Sequence, residues 1–266
     1  MLRFTALAGL VAAAVFPFAS QAQAPQPASG APTVVLVHGA FADASSWDKV
    51  VARLQAKGVP VVAVDNPLTS LADDVQVTRQ AIEAAPGKVV LVGHSWGGTV
   101  ITEAGASPKV SALVYVAAFA PDIGENSAQQ GDRFPVAPGL QALQDHDGFL
   151  SLAEDTIKND FAQDVRSSLA HALYQQQLPL KASALSEPVQ TAAWRSRPSW
   201  YVLSRNDRML SPQLQADTAR RIGAQLRSLG SSHVSPVSEP RQVTDVILEA
   251  AGLSPAQDDS PRSTGG

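Results

Sequence analysis

The stretch "VVLVGHSWGGTV", residues 89–100, opens as an unbroken apolar run and then sets Ser95 among Gly93, Gly97 and Gly98. The run suits a strand covered on both faces, and the glycine-rich segment suits a sharp turn into a helix. Gly93-His94-Ser95-Trp96-Gly97 fits G-x-S-x-G, the nucleophile elbow, in the strand-before, helix-after setting that the motif requires. A serine at such a turn takes a strained backbone, and the glycines two before and two after it leave room for neighbouring chain to pass. Its hydroxyl then stands at the carboxyl end of a sheet, where the next helix turns N–H groups and a positive dipole end towards developing negative charge.

Working outward, short β-branched runs recur at 33–37 ("TVVLV"), 59–64 ("VPVVAV"), 88–92 ("KVVLV"), 111–116 ("SALVYV") and 199–203 ("SWYVL"), with a weaker one at 224–229 ("AQLRSL"). Helical patterns at 47–57, 71–85, 97–106, 212–222 and 240–251 separate most of them. The alternation predicts an α/β fold with a mostly parallel sheet of about six strands and helices on both faces. Residues 121–198 break the rhythm with helix-like segments such as "QALQDHDGFLSLAEDTIKNDF" and "DVRSSLAHALYQQQ", which predicts a helical cap over a site.

With 266 residues, 45% of them hydrophobic, the chain can bury one sizeable core. Its net charge of -4 and scattered basic residues give no footprint for nucleic acid. Residues 1–24 have the layout of a secretory signal peptide: Arg3, an apolar run from Leu7 to Phe16, and the small-residue triplet Ala22-Gln23-Ala24. The run is too short for a membrane span and is interrupted by Pro17, so cleavage after Ala24, a secreted or periplasmic location and no stable membrane insertion are expected. Residues 25–32 and 254–266 read as a flexible lead-in and tail around a domain at 33–253. There is no cysteine, so disulfides and thiol chemistry are excluded.

A serine needs a base, and the base needs an orienting group. Of five histidines, His38 and His94 adjoin glycine turns, and His146 and His171 fall in the cap segment. His233, in "LGSSHVSPVSEP", lies between the last strand and the last helix and is the favoured base, with His146 or His171 as rivals. Asp207, in "YVLSRNDRML", is the favoured acid because it completes the chain order Ser, Asp, His; Asp122 after the earlier strand is the rival. The turn "HGA" places the Ala40 N–H to share an oxyanion with that of Trp96, and Phe41 is a candidate lining residue for the substrate. No paired ligands have metal spacing, and neither a phosphate loop nor a dinucleotide fingerprint is present, so no metal or cofactor is expected.

"VVLVHGAFADASSWDKVVARL", "VVLVGHSWGGTVI", "VYVAAFAPDIGE", "NDRMLSP" and "SSHVSPVSEP" together resemble the small α/β-hydrolases of the methylesterase and hydroxynitrile-lyase branch, near the cofactor-free haloperoxidase-like esterases. The resemblance spans most of 33–251 and implies the α/β-hydrolase fold. It also implies a triad of Ser95, Asp207 and His233 with Ala40 and Trp96 as oxyanion donors. The lyases of that branch carry a lysine after the catalytic histidine and a threonine in the "HG" turn, where this chain has Val234 and Gly39. The expectation is therefore a serine carboxylic-ester hydrolase acting on a small ester. Lyase or perhydrolase chemistry at the same site, or a non-catalytic binding role, are the alternatives. The acyl and alcohol groups and the oligomeric state are not legible.

Overall fold

The computed structural model describes residues 30–254. The expected signal at 1–24, most of the lead-in and nearly all of the tail fall outside the described residues.

Along the chain come β1 (Thr33–Val37), α1 (Asp48–Ala56), β2 (Val61–Val64), α2 (Leu71–Ala84), β3 (Val89–His94), α3 (Trp96–Ala104) and β4 (Val110–Val116). A long excursion follows, with α4 (Ser127–Gly131), α5 (Pro138–Gln141), β5 (Leu143–His146), β6 (Phe149–Leu152), α6 (Glu154–Thr156), α7 (Ser167–Gln176) and β7 (Leu180–Lys181). The chain then closes with β8 (Ser199–Ser204), α8 (Pro212–Arg221), β9 (Gln225–Leu229), α9 (Ser235–Ser238) and α10 (Pro240–Ala250). Each strand and helix read from the main sheet's pattern is present, with ends within one or two residues of those expected.

The main sheet runs β2-β1-β3-β4-β8-β9, and all five pairings are parallel. Successive side chains of a strand point to opposite faces, so the sheet feeds two cores. Val35, Val37, Leu91 and Tyr115 pack with Val75 and Ile82 of α2 and Val100 and Ile101 of α3. Val34, Leu36, Val92 and Val114 pack on the other side with Val50 and Leu54 of α1 and Val243 and Ile247 of α10. Burying each such Val, Leu or Ile contributes roughly 1.5–3 kcal/mol, which is why the unbroken apolar runs mark the central strands. The weak run at 224–229 forms β9 at the sheet edge, where its polar residues are exposed and block further pairing.

The expected helical cap is corrected in one respect. Within 141–161, read as helix-like, residues 143–152 form an antiparallel hairpin, β5 with β6, joined by β7 into a three-stranded sheet, while 154–161 are helical as expected, α6 running on into a π-helical turn at Ile157–Phe161. Asp147 and Gly148 both have positive φ (54° and 79°), the conformation a two-residue hairpin turn demands and an Asp-Gly pair supplies. The other helix-like cap segment does form α7. The order of the main sheet puts β3 between β1 and β4, so the chain reversals after all three strands meet above its carboxyl edge.

Candidate active site

Ser95 sits between β3 and α3 with φ 52° and ψ −119°, a conformation that costs a non-glycine residue on the order of 1–3 kcal/mol. Three backbone bonds hold it there. Its N–H donates to the Val116 carbonyl at 3.1 Å, and its carbonyl accepts from Gly98 at 3.0 Å and from Phe119 at 3.3 Å. The surrounding glycines are required by close approach. A Cβ on Gly93 would strike the Gly97 backbone, one on Gly97 the Val37 carbonyl, and one on Gly98 the Phe119 carbonyl. The amides of Ala40 and Trp96 take no part in these turn and cap hydrogen bonds.

His233 follows β9 and is buried. Its Nδ1 lies 2.7 Å from Oδ2 of Asp207, in the loop after β8. Because a carboxylate only accepts, that contact puts the ring proton on Nδ1 and leaves Nε2 free to accept one. Asp207 is in turn saturated. Met209 and Leu210 donate their N–H groups to Oδ1 at 2.7 and 2.8 Å, and Gln215 Nε2 donates to Oδ2 at 2.7 Å. Ser95 and His233 line the same cavity without a hydrogen bond between them; such bonds commonly tighten only with substrate in place.

The rival residues lie in other surroundings. Asp122 is held by Arg195 in a two-pronged ion pair at 2.7 and 2.6 Å, which keeps its carboxyl below the usual range. His171 pairs with Glu154 on the cap at 2.8 Å, and His146 ends β5 beside the cap turn, exposed.

The two glycine-turn histidines are structural. His38 accepts from the Asn66 N–H through Nε2 at 3.0 Å and donates through Nδ1 to the Gly39 carbonyl at 2.8 Å, which pins the turn that presents Ala40. Burial lowers its affinity for a proton. His94 donates through Nε2 to the His233 carbonyl at 2.9 Å, and the two rings lie 4.8 Å apart. Burial above all, with His233 beside it, pushes His94 down to about 3.

The cavity over Ser95 has a volume of about 240 Å³. Ala40, Phe41 and Trp96 line it from the sheet side, and Leu143, Leu150, Leu180 and Leu185 line it from the cap. Among the described residues Asp132 and His233 are its only ionisable lining residues. Phe41 has φ 61° and meets Phe161 edge-on at 6.5 Å, so the expected lining role has a rigid basis. Among the described residues no three His, Cys, Asp or Glu side chains converge as metal ligands, and no helix is long and apolar enough to cross a membrane.

Three supporting residues escape sequence reasoning. Gln215 orients Asp207, and Asp164 accepts the Ser232 N–H at 2.7 Å beside His233. Asp74, on α2, accepts from the Trp96 indole. Burial pushes Asp74 up to about 6 against the pull of its N–H donors, with Asp73 and Glu187 adding to the rise. Adjacent acids in "LADDV" look alike in sequence, and only packing makes Asp74 buried and Asp73 exposed.

The sequence family model described as "Alpha/beta hydrolase family" matches residues 34–246. The chain belongs to the alpha/beta hydrolase family. Among its relatives, this hydrolase is 29% identical over 249 residues to "Probable hydrolase R7" of Phoma sp., covering 84% of this chain and 99% of that protein. It is 27% identical over 256 residues to "Salicylic acid-binding protein 2" of Nicotiana tabacum, covering 82% and 96%. The fold is also that of polyneuridine aldehyde esterase, with a TM-score of 0.72, 20% identity and coverage of 82% of this chain and 98% of that one. With relatives named hydrolase, methylesterase and esterase, the chain is an esterase-type enzyme of the alpha/beta hydrolase family.

Proposed function

We propose that this alpha/beta hydrolase cleaves small carboxylic esters through Ser95, His233 and Asp207. The observation that carries the reading is the buried His233–Asp207 pair at 2.7 Å in one cavity with a serine held at positive φ. Ser95 Oγ attacks the ester carbonyl and passes its proton to His233 Nε2, while Asp207 stabilises the imidazolium. The carbonyl oxygen becomes an oxyanion that the Ala40 and Trp96 N–H groups receive. The alcohol leaves with the proton from His233, and water, activated by the same imidazole, releases the acid and restores the serine.

The leucine-rich cavity wall, to which no lysine or arginine among the described residues contributes, favours an uncharged ester with a compact apolar part. Two sequence features speak for hydrolysis over lyase chemistry: buried Val234 follows His233, and Gly39 holds the "HG" turn. The names of the relatives, methylesterases and "Esterase PIR7B" among them, support the same chemistry. Export, by way of the pattern at 1–24, belongs to this proposal and is tested by N-terminal sequencing of the protein released from cells.

The testing experiment is a panel of p-nitrophenyl esters from acetate to octanoate, with a carboxylate-bearing ester and a cyanohydrin alongside. Hydrolysis of the neutral esters, with weak turnover of the charged one, is expected. Cyanohydrin cleavage without ester hydrolysis by a folded protein would overturn the reading.

A further inference from the structure

Asp74 is fully buried on α2, and none of its hydrogen-bond partners among the described residues is a cation. A carboxylate in that setting is expensive unless its oxygens are met by donors aimed at them. Both are met. Oδ2 accepts the indole N–H of Trp96 at 2.7 Å, and Oδ1 accepts the N–H of Leu68 at 2.9 Å. Leu68 itself is held at φ 58°, a left-handed conformation that a leucine adopts only when its surroundings impose it. Its carbonyl then accepts the N–H of Lys181 in β7 at 2.9 Å. Three residues earlier in the same cap segment, the Leu178 carbonyl accepts the N–H of Phe41, next to Ala40, at 3.2 Å.

Trp96 is the residue whose backbone N–H the proposed mechanism uses, and its indole is buried. It is also the first residue of α3, directly after the strained serine. A side chain pinned at its far end by a charge-assisted hydrogen bond has little freedom to rotate, so the peptide that carries it is held as well. Plain apolar packing would fill the same volume without that direction. Resting on the ester-hydrolase reading, we propose that Asp74 is a positioning residue which fixes the Trp96 amide as an oxyanion donor by anchoring its indole. Through Leu68 the same carboxylate ties that donor to the cap segment that also grips the turn bearing Ala40. Both oxyanion donors thereby share one brace.

The test compares wild type with Asp74→Asn, which keeps the shape and one acceptor, and Trp96→Phe, which keeps a ring and removes the donor. Substrate is p-nitrophenyl acetate, and the second readout is inhibition by a trifluoromethyl ketone, which adds to a serine and places an oxyanion between the donors. Each variant should lose about 10- to 100-fold in kcat with KM within about twofold, and the inhibition constant should rise by a similar factor. The double variant should be no worse than the poorer single one, since both act on one contact. An Asp74→Asn protein with wild-type kcat, or one that loses kcat while binding the ketone as wild type does, would overturn the proposal. Should Asp74→Asn not fold, Trp96→Phe decides: a loss in both readouts supports the proposal and unchanged values in both overturn it. A wild type that turns over no ester would instead remove the hydrolase reading, and this proposal with it.

Discussion

Oδ2 of Asp207 receives two donors at once, Nδ1 of His233 at 2.7 Å and Nε2 of Gln215 at 2.7 Å. With Oδ1 taken by two backbone N–H groups, the carboxylate is fixed in one orientation and fixes the imidazole tautomer in turn. Asp207→Asn would present an amide N–H or a weaker acceptor to His233 and favour the wrong tautomer. A fall in kcat of about 10³ to 10⁴ for a short p-nitrophenyl ester is expected. Asp122→Asn should stay within a few-fold of wild type, because Arg195 and not a histidine is its partner. Reversed losses in steady-state kinetics would move the acid to Asp122.

Gln215 does more than hold Asp207, since its Nε2 also donates to the Leu210 carbonyl at 2.8 Å and its Oε1 accepts the Ser204 N–H at 3.0 Å at the end of β8. Gln215→Leu takes the partner from that N–H, from the Leu210 carbonyl and from one lone pair of Asp207 in a buried setting. A loss of about 1–3 kcal/mol in unfolding free energy is expected, together with roughly tenfold in kcat. Urea titration and ester kinetics on the same preparation check both. A variant as stable and as active as wild type would show that Gln215 braces nothing.

His94 makes stability depend on pH in a direction its surroundings dictate. Its folded value, about 3, lies below the ordinary histidine value of 6.5. Stability from this group is therefore complete above pH 6.5 and is lost as the pH falls towards 3, because the unfolded chain takes up a proton that the folded one refuses. By pH 4 the loss amounts to about 3 kcal/mol. His94→Gln keeps a donor for the His233 carbonyl and removes the titration, so its unfolding free energy should decline less steeply than wild type between pH 6.5 and 4. Parallel declines would show that the proton is not excluded from His94.

The parts legible in the sequence share a physical reason. Central strands such as Val34–Val37 and Val89–Val92 must be apolar on both faces, and a serine at positive φ needs glycines around it, so the sheet and the elbow are written locally. The cap hairpin was also written locally, in Asp147-Gly148, but the apolar residues around that pair gave a helix-like pattern that obscured it. Gln215 and Asp74 were not legible at all. Their roles come from contacts across 8 and 22 residues of sequence, to Asp207 and Trp96, and nothing in their immediate neighbours distinguishes a brace from a surface residue.

The central claim is that Ser95 is the nucleophile, and peptide mass spectrometry after treatment with diisopropyl fluorophosphate tests it most directly. One adduct per chain, on the peptide containing Ser95, with ester hydrolysis lost in proportion to its formation, is the expected result. Inactivation with the adduct on a different residue, or full hydrolysis by protein stoichiometrically modified at Ser95, would contradict it.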